Sequence, residues 1–258
     1  MKKLINKYGW DGEYYLAAYT DAGLKIGSKE CDEGKIFLLP QIWAIIAGVA
    51  DEKRSIEVMK AINKYLRTPL GVKVSTPGYS YCRSDLGTVT YKPPGCQENG
   101  GVYLQPMCWK LIADNILKDA DEMQRDLESI LPFRNKVVGG RAEPYMLFNS
   151  YFEKEADYRY GTPGQSWRTA ASQCLINSMI RQIFGLKAQF EGLTIDPCIP
   201  PQWKDCKITK KFRGAQYDIK YINNGTKIKS VKVDGEEYCE VTLPCKKGKK
   251  YDVVVELY

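Results

Sequence analysis

No histidine occurs anywhere in the 258 residues. That removes the commonest general base, the commonest zinc ligand and any Ser-His or Cys-His nucleophile pair. Chemistry must then run on carboxylates, tyrosines, arginines or lysines, or be shared with another chain. Two glutamates stand in suggestive surroundings. Glu98 precedes Asn99-Gly100 at the end of residues 68–100, a stretch with Pro69, Pro77, Pro93, Pro94 and five glycines. Loops of this length inside a compact domain are usually functional. Glu143 precedes Pro144. Each also has a bland role: Glu98 can organise the loop by capping backbone amides, and Glu143 can stabilise a helix start. A stand-alone glycosidase needs two carboxylates flanking the scissile bond, and nothing in the spacing pairs Glu98 with Glu143.

The nine cysteines include no Cys-x-x-Cys pair. Cys108 and Cys174 fall inside apolar helical patterns, where a free thiol behaves as a small hydrophobe. A reducing, cytoplasmic setting is expected rather than a disulfide framework. No metal site is expected. The start, Met1-Lys2-Lys3-Leu4-Ile5-Asn6-Lys7, has no apolar core of signal-peptide length, and no segment suits a bilayer. The net charge of +7 is spread along the chain. Its one dense run, Lys246-Lys247-Gly248-Lys249-Lys250, reads as a solvated turn, so neither nucleic acid nor membrane is expected as a partner.

Positioning falls to a run of helices. Trp43, Ile45, Ile46 and Val49 spell a short buried one. Asp51 is a fit N-cap for the next, which carries Ile56, Met59, Ile62 and Leu66 on one face and Glu57, Lys60 and Lys64 opposite. Short strands fit around Val72–Val74 and Thr88–Thr90. A helix runs from about Val102 to Leu117. Another spans about 119–131, with Met123, Leu127, Ile130 and Leu131 on its apolar side. Pro144 suits the first turn of a short helix ending near Phe152. The clearest pattern is 166–184: Ser166 caps it, Trp167, Ala171, Cys174 and Leu175 face inward, and Gly185 closes it. Trp10, Trp43 and Trp167 read as core.

After Gly192 the pattern switches to alternation. Tyr217, Ile219 and Tyr221 precede a turn at Asn223-Asn224-Gly225. Val231 and Val233 precede Asp234-Gly235, and Val253 to Leu257 forms a last strand. Asn-Gly and Asp-Gly between alternating runs signal hairpins. The expectation is a mainly α segment of helical hairpins over 1–192 and a small antiparallel β domain over 193–258.

Several short motifs occur in one order. They are Trp10-Asp11-Gly12-Glu13-Tyr14-Tyr15, Ile26-Gly27-Ser28, Glu33-Gly34-Lys35-Ile36, Gln41-x-Trp43, Pro94-Gly95, Glu98-Asn99-Gly100 and Glu143-Pro144-Tyr145. Ser166-Trp167-x-Thr169, Gly192-Leu193-x-Ile195-Asp196-Pro197-Cys198-Ile199-Pro200 and Phe212-Arg213-Gly214 follow. Over nearly its whole length the chain resembles the C-terminal part of the cellobiose and chitobiose phosphorylases, glycoside hydrolase family 94, formerly glycosyltransferase family 36. The resemblance implies a partial (α/α)6 barrel followed by a β-sandwich. It also implies inverting phosphorolysis of a β-linked disaccharide or oligosaccharide, with inorganic phosphate as co-substrate and no other cofactor.

In that reaction a carboxylic acid protonates the leaving oxygen. The family's acid lies in an Asp-Trp-Asn-Asp-like motif upstream of the Trp-Asp-Gly-Glu signature. This chain begins nine residues before Trp10, so no catalytic residue is expected in it. The resemblance puts Glu98 and Gln97 on the sugar, Gln97 standing where cellobiose phosphorylases have lysine, and aligns Asn149 with a sugar-binding glutamine. It puts Thr169, Gln105 and Ala170 on the phosphate. Gln105 replaces a histidine, and Ala170 replaces the glycine of a Thr-Gly pair. The chain is then one part of a split phosphorylase-like enzyme, completed by a complementary chain or a second copy. The alternative is a truncated or degenerate, non-catalytic carbohydrate-binding or partner-binding module.

Overall fold

A computed structural model describes residues 1–143, 145–240 and 242–258. The chain forms two compact units, residues 1–117 with 125–175 and residues 118–124 with 176–258. Its helices are α1 (Lys2–Tyr8), α2 (Leu38–Ile46), α3 (Glu52–Ala61), α4 (Leu104–Leu117), α5 (Ala120–Ile130) and α6 (Ala171–Ser178). A helical region followed by a β region is therefore what the chain has.

In the first unit, Asp51 caps α3 by accepting the Arg54 N–H at 2.9 Å. The helix runs on through a π-helical turn, Ile62–Leu66. Its buried stripe is Ser55, Val58, Met59 and Ile62, while Ile56 is 45% exposed. The expected stripe is thus corrected at its first turn: small Ser55 takes the inner place, and Ile56 lies about 100° round the helix. α2 and α4 pack side by side, with Trp43 and Trp109 edge-to-face at 5.6 Å. The loop between α3 and α4 holds only two-residue strands, among them Gly71–Val72 and Ser75–Thr76. Thr88–Thr90 lies in a 3-10 turn, not a strand.

Three further expectations change. Pro144 lies outside the described residues, and residues 145–152 hold no helix; Ser150–Tyr151 is a strand between Val102–Tyr103 and Pro163–Gly164. The pattern at 166–184 becomes helix only at Ala171, whose N–H the Thr169 hydroxyl accepts at 3.0 Å. Trp167, with φ of 65°, cannot continue a right-handed helix and is 80% exposed. Trp43 is 44% exposed as well, so neither tryptophan is core.

The second unit contains β1 (Leu186–Ala188), β2 (Leu193–Ile195), β3 (Asp205–Phe212), β4 (Ala215–Ile222), β5 (Ile228–Val233), β6 (Glu236–Glu237), β7 (Thr242–Leu243) and β8 (Lys250–Leu257). They form a three-stranded sheet, β1-β2-β7, and a five-stranded sheet, β3-β4-β8-β5-β6. Alternation buries one face of the larger sheet, through Ala215, Tyr217, Ile219 and Tyr221 of β4 and Tyr251, Val253, Val255 and Leu257 of β8. Asp234 and Gly235, at φ 53° and 90°, make the expected two-residue hairpin between β5 and β6. Arg213 and Gly214, at 48° and 81°, make a second one between β3 and β4. Positive φ at both central residues matches the right-handed twist of paired strands.

The β region is not purely antiparallel, because β8 runs parallel to β4. Asn223-Asn224-Gly225 leads from β4 to β5 without making a hairpin, since β8 lies between those strands. The centre of the sheet goes to the valine-rich strand that can bury most. Asp196 ties the short segment at 118–124 to this unit, accepting from Lys118 at 2.5 Å and Lys187 at 2.6 Å. Among the described residues no helix is long and apolar enough to cross a membrane.

Candidate functional site

The motif residues near the start of the chain act first as pins. Gln41, fully buried on α2, donates to the carbonyls of Tyr15 at 2.7 Å and Phe37 at 3.0 Å, and accepts the Tyr15 N–H at 2.8 Å. Asp11 accepts from the Ser28 hydroxyl at 3.0 Å and the Lys29 N–H at 2.9 Å. These bonds satisfy buried backbone groups in segments with no regular ladder. They fix residues 10–37 against the N-terminal end of α2.

The long loop is organised by Asn99 rather than by Glu98. The buried Asn99 amide donates to Tyr79 O at 2.9 Å and Lys92 O at 2.7 Å and accepts the Tyr79 N–H at 2.6 Å. Glu98 is left exposed, ion-paired with Lys92. Gln97, at φ 47°, turns the chain, and its carbonyl accepts the Gly101 N–H at 3.0 Å.

Where this loop runs into α4, a cavity of about 510 Å³ opens. Phe37, Leu39, Pro40, Val74, Val89 and Trp109 form apolar walls, and Glu98, Tyr103 and Gln105 supply its polar side chains. A largely apolar hollow with a few convergent polar groups is the usual form of a small-molecule site. Asn149 stands one bond behind, its amide donating to the Tyr103 hydroxyl at 2.7 Å. Glu98, Gln105 and Asn149 are therefore brought together. Gln97 does not line the cavity. Thr169 caps α6 and Ala170 is exposed beside it, so neither lines the cavity. Glu98 is its one carboxylate among the described residues, and exposed Glu143 is not on it, so the pair a stand-alone glycosidase needs is not formed.

Two buried carboxyl systems did not stand out in the sequence. Lys110 on α4 donates to Asp114 at 2.8 Å and to Asp126 on α5 at 2.5 Å, and Arg67 reaches Asp126 at 2.5 Å. Lys110, Asp114 and Asp126 are fully buried. Burial pushes the Asp114 carboxyl well above the ordinary range, which Lys110 only partly offsets. Burial acts on Asp126 too, but Lys110 and Arg67 outweigh it and hold that carboxyl low. The one available signal was a Lys-Asp pair four residues apart inside an apolar helix. Glu153 is also buried and raised, accepting from the Thr68 hydroxyl and the Lys154 N–H. None of these groups lines the cavity; Lys110 ties α4 to α5, and Glu153 ties the Thr68 turn to the start of residues 154–159. No group of His, Cys, Asp and Glu that could hold a metal occurs among the described residues.

The family profile described as "Glycosyl hydrolase 94 superfamily, catalytic domain" matches residues 1–185. A 3-O-beta-D-glucopyranosyl-beta-D-glucuronide phosphorylase from Paenibacillus borealis is 32% identical over 258 residues, covering 98% of this chain and 33% of its own length. A solabiose phosphorylase from the same organism is 30% identical, covering 95% of this chain and 32% of its own length. An N,N'-diacetylchitobiose phosphorylase from Vibrio proteolyticus is 30% identical over 96% of this chain and 32% of its own. The chain thus spans about one third of the length of these relatives.

Proposed function

The chain belongs to the glycosyl hydrolase 94 superfamily, and from that premise we propose that it supplies sugar and phosphate contacts to a phosphorylase acting on a β-linked disaccharide, without supplying the general acid. One observation carries the reading. Glu98 and Gln105, picked out separately for sugar and phosphate, line the same cavity. The carboxylate of Glu98 can accept from sugar hydroxyls, and Trp109 and Tyr103 offer flat apolar faces to a pyranose ring. Gln105 can donate one hydrogen bond to phosphate but brings no charge.

The chemistry proposed is inverting phosphorolysis. A phosphate oxygen attacks the anomeric carbon while the glycosidic C–O bond breaks on the opposite face. The proton that the leaving oxygen needs comes from an acid on the complementary part. In this reading residues 1–192 form part of an (α/α)6 barrel and 193–258 a β-sandwich, with inorganic phosphate the sole co-substrate. Nine cysteines with no Cys-x-x-Cys pair among them support a reducing, cytoplasmic setting. The uncharged Gln105 also favours a second reading, a carbohydrate-binding module that has lost phosphate.

Titration of the chain with cellobiose and with diacetylchitobiose, followed by tryptophan fluorescence, tests the site. Saturable quenching that Glu98→Gln weakens about tenfold is expected, the loss of one charged hydrogen bond. A titration with no change for either sugar, or one that Glu98→Gln leaves untouched, removes the sugar role.

A further inference from the structure

Tyr103 stands on the cavity wall two residues before Gln105, so their Cα atoms lie no more than about 7 Å apart. A phenol hydroxyl has one proton to give and can accept as well. In Tyr103 the accepting side is taken, because the Asn149 amide donates to it at 2.7 Å. Among the described residues nothing accepts the Tyr103 proton in return. Its acceptor therefore comes from the cavity.

The backbone holds this pair in place. Tyr103 is paired with Ser150 in a short antiparallel ladder. The Leu104 N–H donates to the Asn149 carbonyl at 2.9 Å, and the Asn149 N–H donates to the Gly164 carbonyl at 3.2 Å. Asn149 is 6% exposed, and its Oδ1 is buried with no hydrogen-bond partner among the described residues. Leaving such an atom unpaired is costly, and a leucine would fill the same space without it. What asparagine adds is the bond that holds the Tyr103 hydroxyl.

Three features of the site decide what the proton meets. With its accepting side occupied, the Tyr103 hydroxyl can only donate to a ligand. Gln105 brings a second uncharged donor. Both residues stand at the start of α4, a 14-residue helix whose N-terminal end carries partial positive charge. A sugar hydroxyl donates as well as accepts, so its fit is with Glu98, a carboxylate that only accepts; phosphate oxygens chiefly accept. The geometry points to Tyr103 as a phosphate-binding residue beside Gln105. Asn149 is then a positioning residue that acts through the Tyr103 hydroxyl rather than on the sugar. The proposal rests on the functional reading above for the identity of the anion.

Calorimetry with inorganic phosphate and tryptophan fluorescence with cellobiose, both on this chain, test it. Tyr103→Phe keeps the ring and removes the proton. It should weaken phosphate binding roughly tenfold or more, the loss of a hydrogen bond to a charged group, and leave cellobiose binding unchanged. Asn149→Leu should weaken phosphate binding as well. Combined with Tyr103→Phe it should add nothing, because both changes remove the same donor, whereas independent contacts would multiply their losses. The urea midpoint of the double variant should stay near that of the wild type, since both partners of the bond are gone. Phosphate binding that Tyr103→Phe leaves unchanged, cellobiose binding weakened in its place, or losses that multiply in the double variant would overturn the proposal alone. No phosphate binding by the unmodified chain would remove the phosphate role of the cavity and this proposal with it, so the two failures are distinguishable.

Discussion

Replacing Lys110 by methionine removes one charge and little volume. The ammonium it removes lies 2.8 Å from Asp114 and 2.5 Å from Asp126, all three side chains being fully buried. Asp126 retains Arg67 at 2.5 Å. Asp114 loses the cation on one oxygen, and its other oxygen has no hydrogen-bond partner among the described residues. Breaking a buried ion pair from one side costs about 3–5 kcal/mol, a large share of the roughly 5–15 kcal/mol that holds a domain together. The methionine stem keeps the packing, so most of the loss is electrostatic. Adding Asp114→Asn should return part of it, because burial already disfavours the Asp114 charge. A coupling of about 1–3 kcal/mol between the two sites is expected. Urea denaturation followed by tryptophan fluorescence reads this, since four of the five tryptophans lie in the first unit. A loss below about 1 kcal/mol for Lys110→Met, the size of an ordinary substitution, or strictly additive effects, would mean that Lys110 does not hold a buried charge in place.

Acid acts on the same cluster in two opposing senses. The Asp126 carboxyl is held low, so its contribution is full above the unfolded value near pH ~4 and is lost as pH falls through the folded value. Asp114 is raised and acts in the opposite sense, favouring the fold at low pH and losing that contribution as pH rises through its folded value. Denaturation midpoints measured downward from pH ~4 should therefore lose their Asp126-dependent acid limb in Asp126→Asn and keep it in Asp114→Asn. Gly185→Ala should cost about 2–5 kcal/mol, through strain at positive φ and overpacking, because a Cβ there would meet the Asp196 carbonyl carbon at 2.1 Å with φ at 69°; a midpoint equal to wild type would refute it. Gln105→His should tighten phosphate binding roughly tenfold or more below pH ~6.5, where the imidazole is charged. Ala170→Gly should add little, since Ala170 is not on the cavity; calorimetry with inorganic phosphate checks both.

Local signals in the sequence held where neighbouring residues decide the outcome. Asp51 caps its helix, α4 and α5 begin and end close to where the periodicity puts them, and Asp234-Gly235 turns a hairpin. They failed where distant partners decide. An exposed Trp43 has the same pattern as a buried one, because periodicity says which face is apolar and not what covers it. Arg213 at positive φ gave no hairpin signal of its own, and the insertion of β8 between β4 and β5 is a long-range pairing. Lys110 reads as a surface lysine until the fold brings Asp126 to it. In the candidate site, Glu98 and Gln105 were legible through the family resemblance, and they fall together because the loop that ends at Gly100 runs almost directly into α4. The path of residues 145–170, which carries Asn149 towards Tyr103 and leaves Thr169 at α6, was not.

We propose that this chain holds groups for sugar and phosphate, with the proton donor on the complementary part. Release of sugar 1-phosphate from cellobiose or diacetylchitobiose with inorganic phosphate, measured for the chain alone and then with the complementary part of the 32%-identical Paenibacillus relative, tests this at its centre. No turnover is expected from the chain alone, general acid catalysis being worth roughly two to four orders of magnitude in rate, and turnover is expected from the mixture, lowered by Glu98→Gln. Sugar 1-phosphate released by the chain alone would place the acid within these residues.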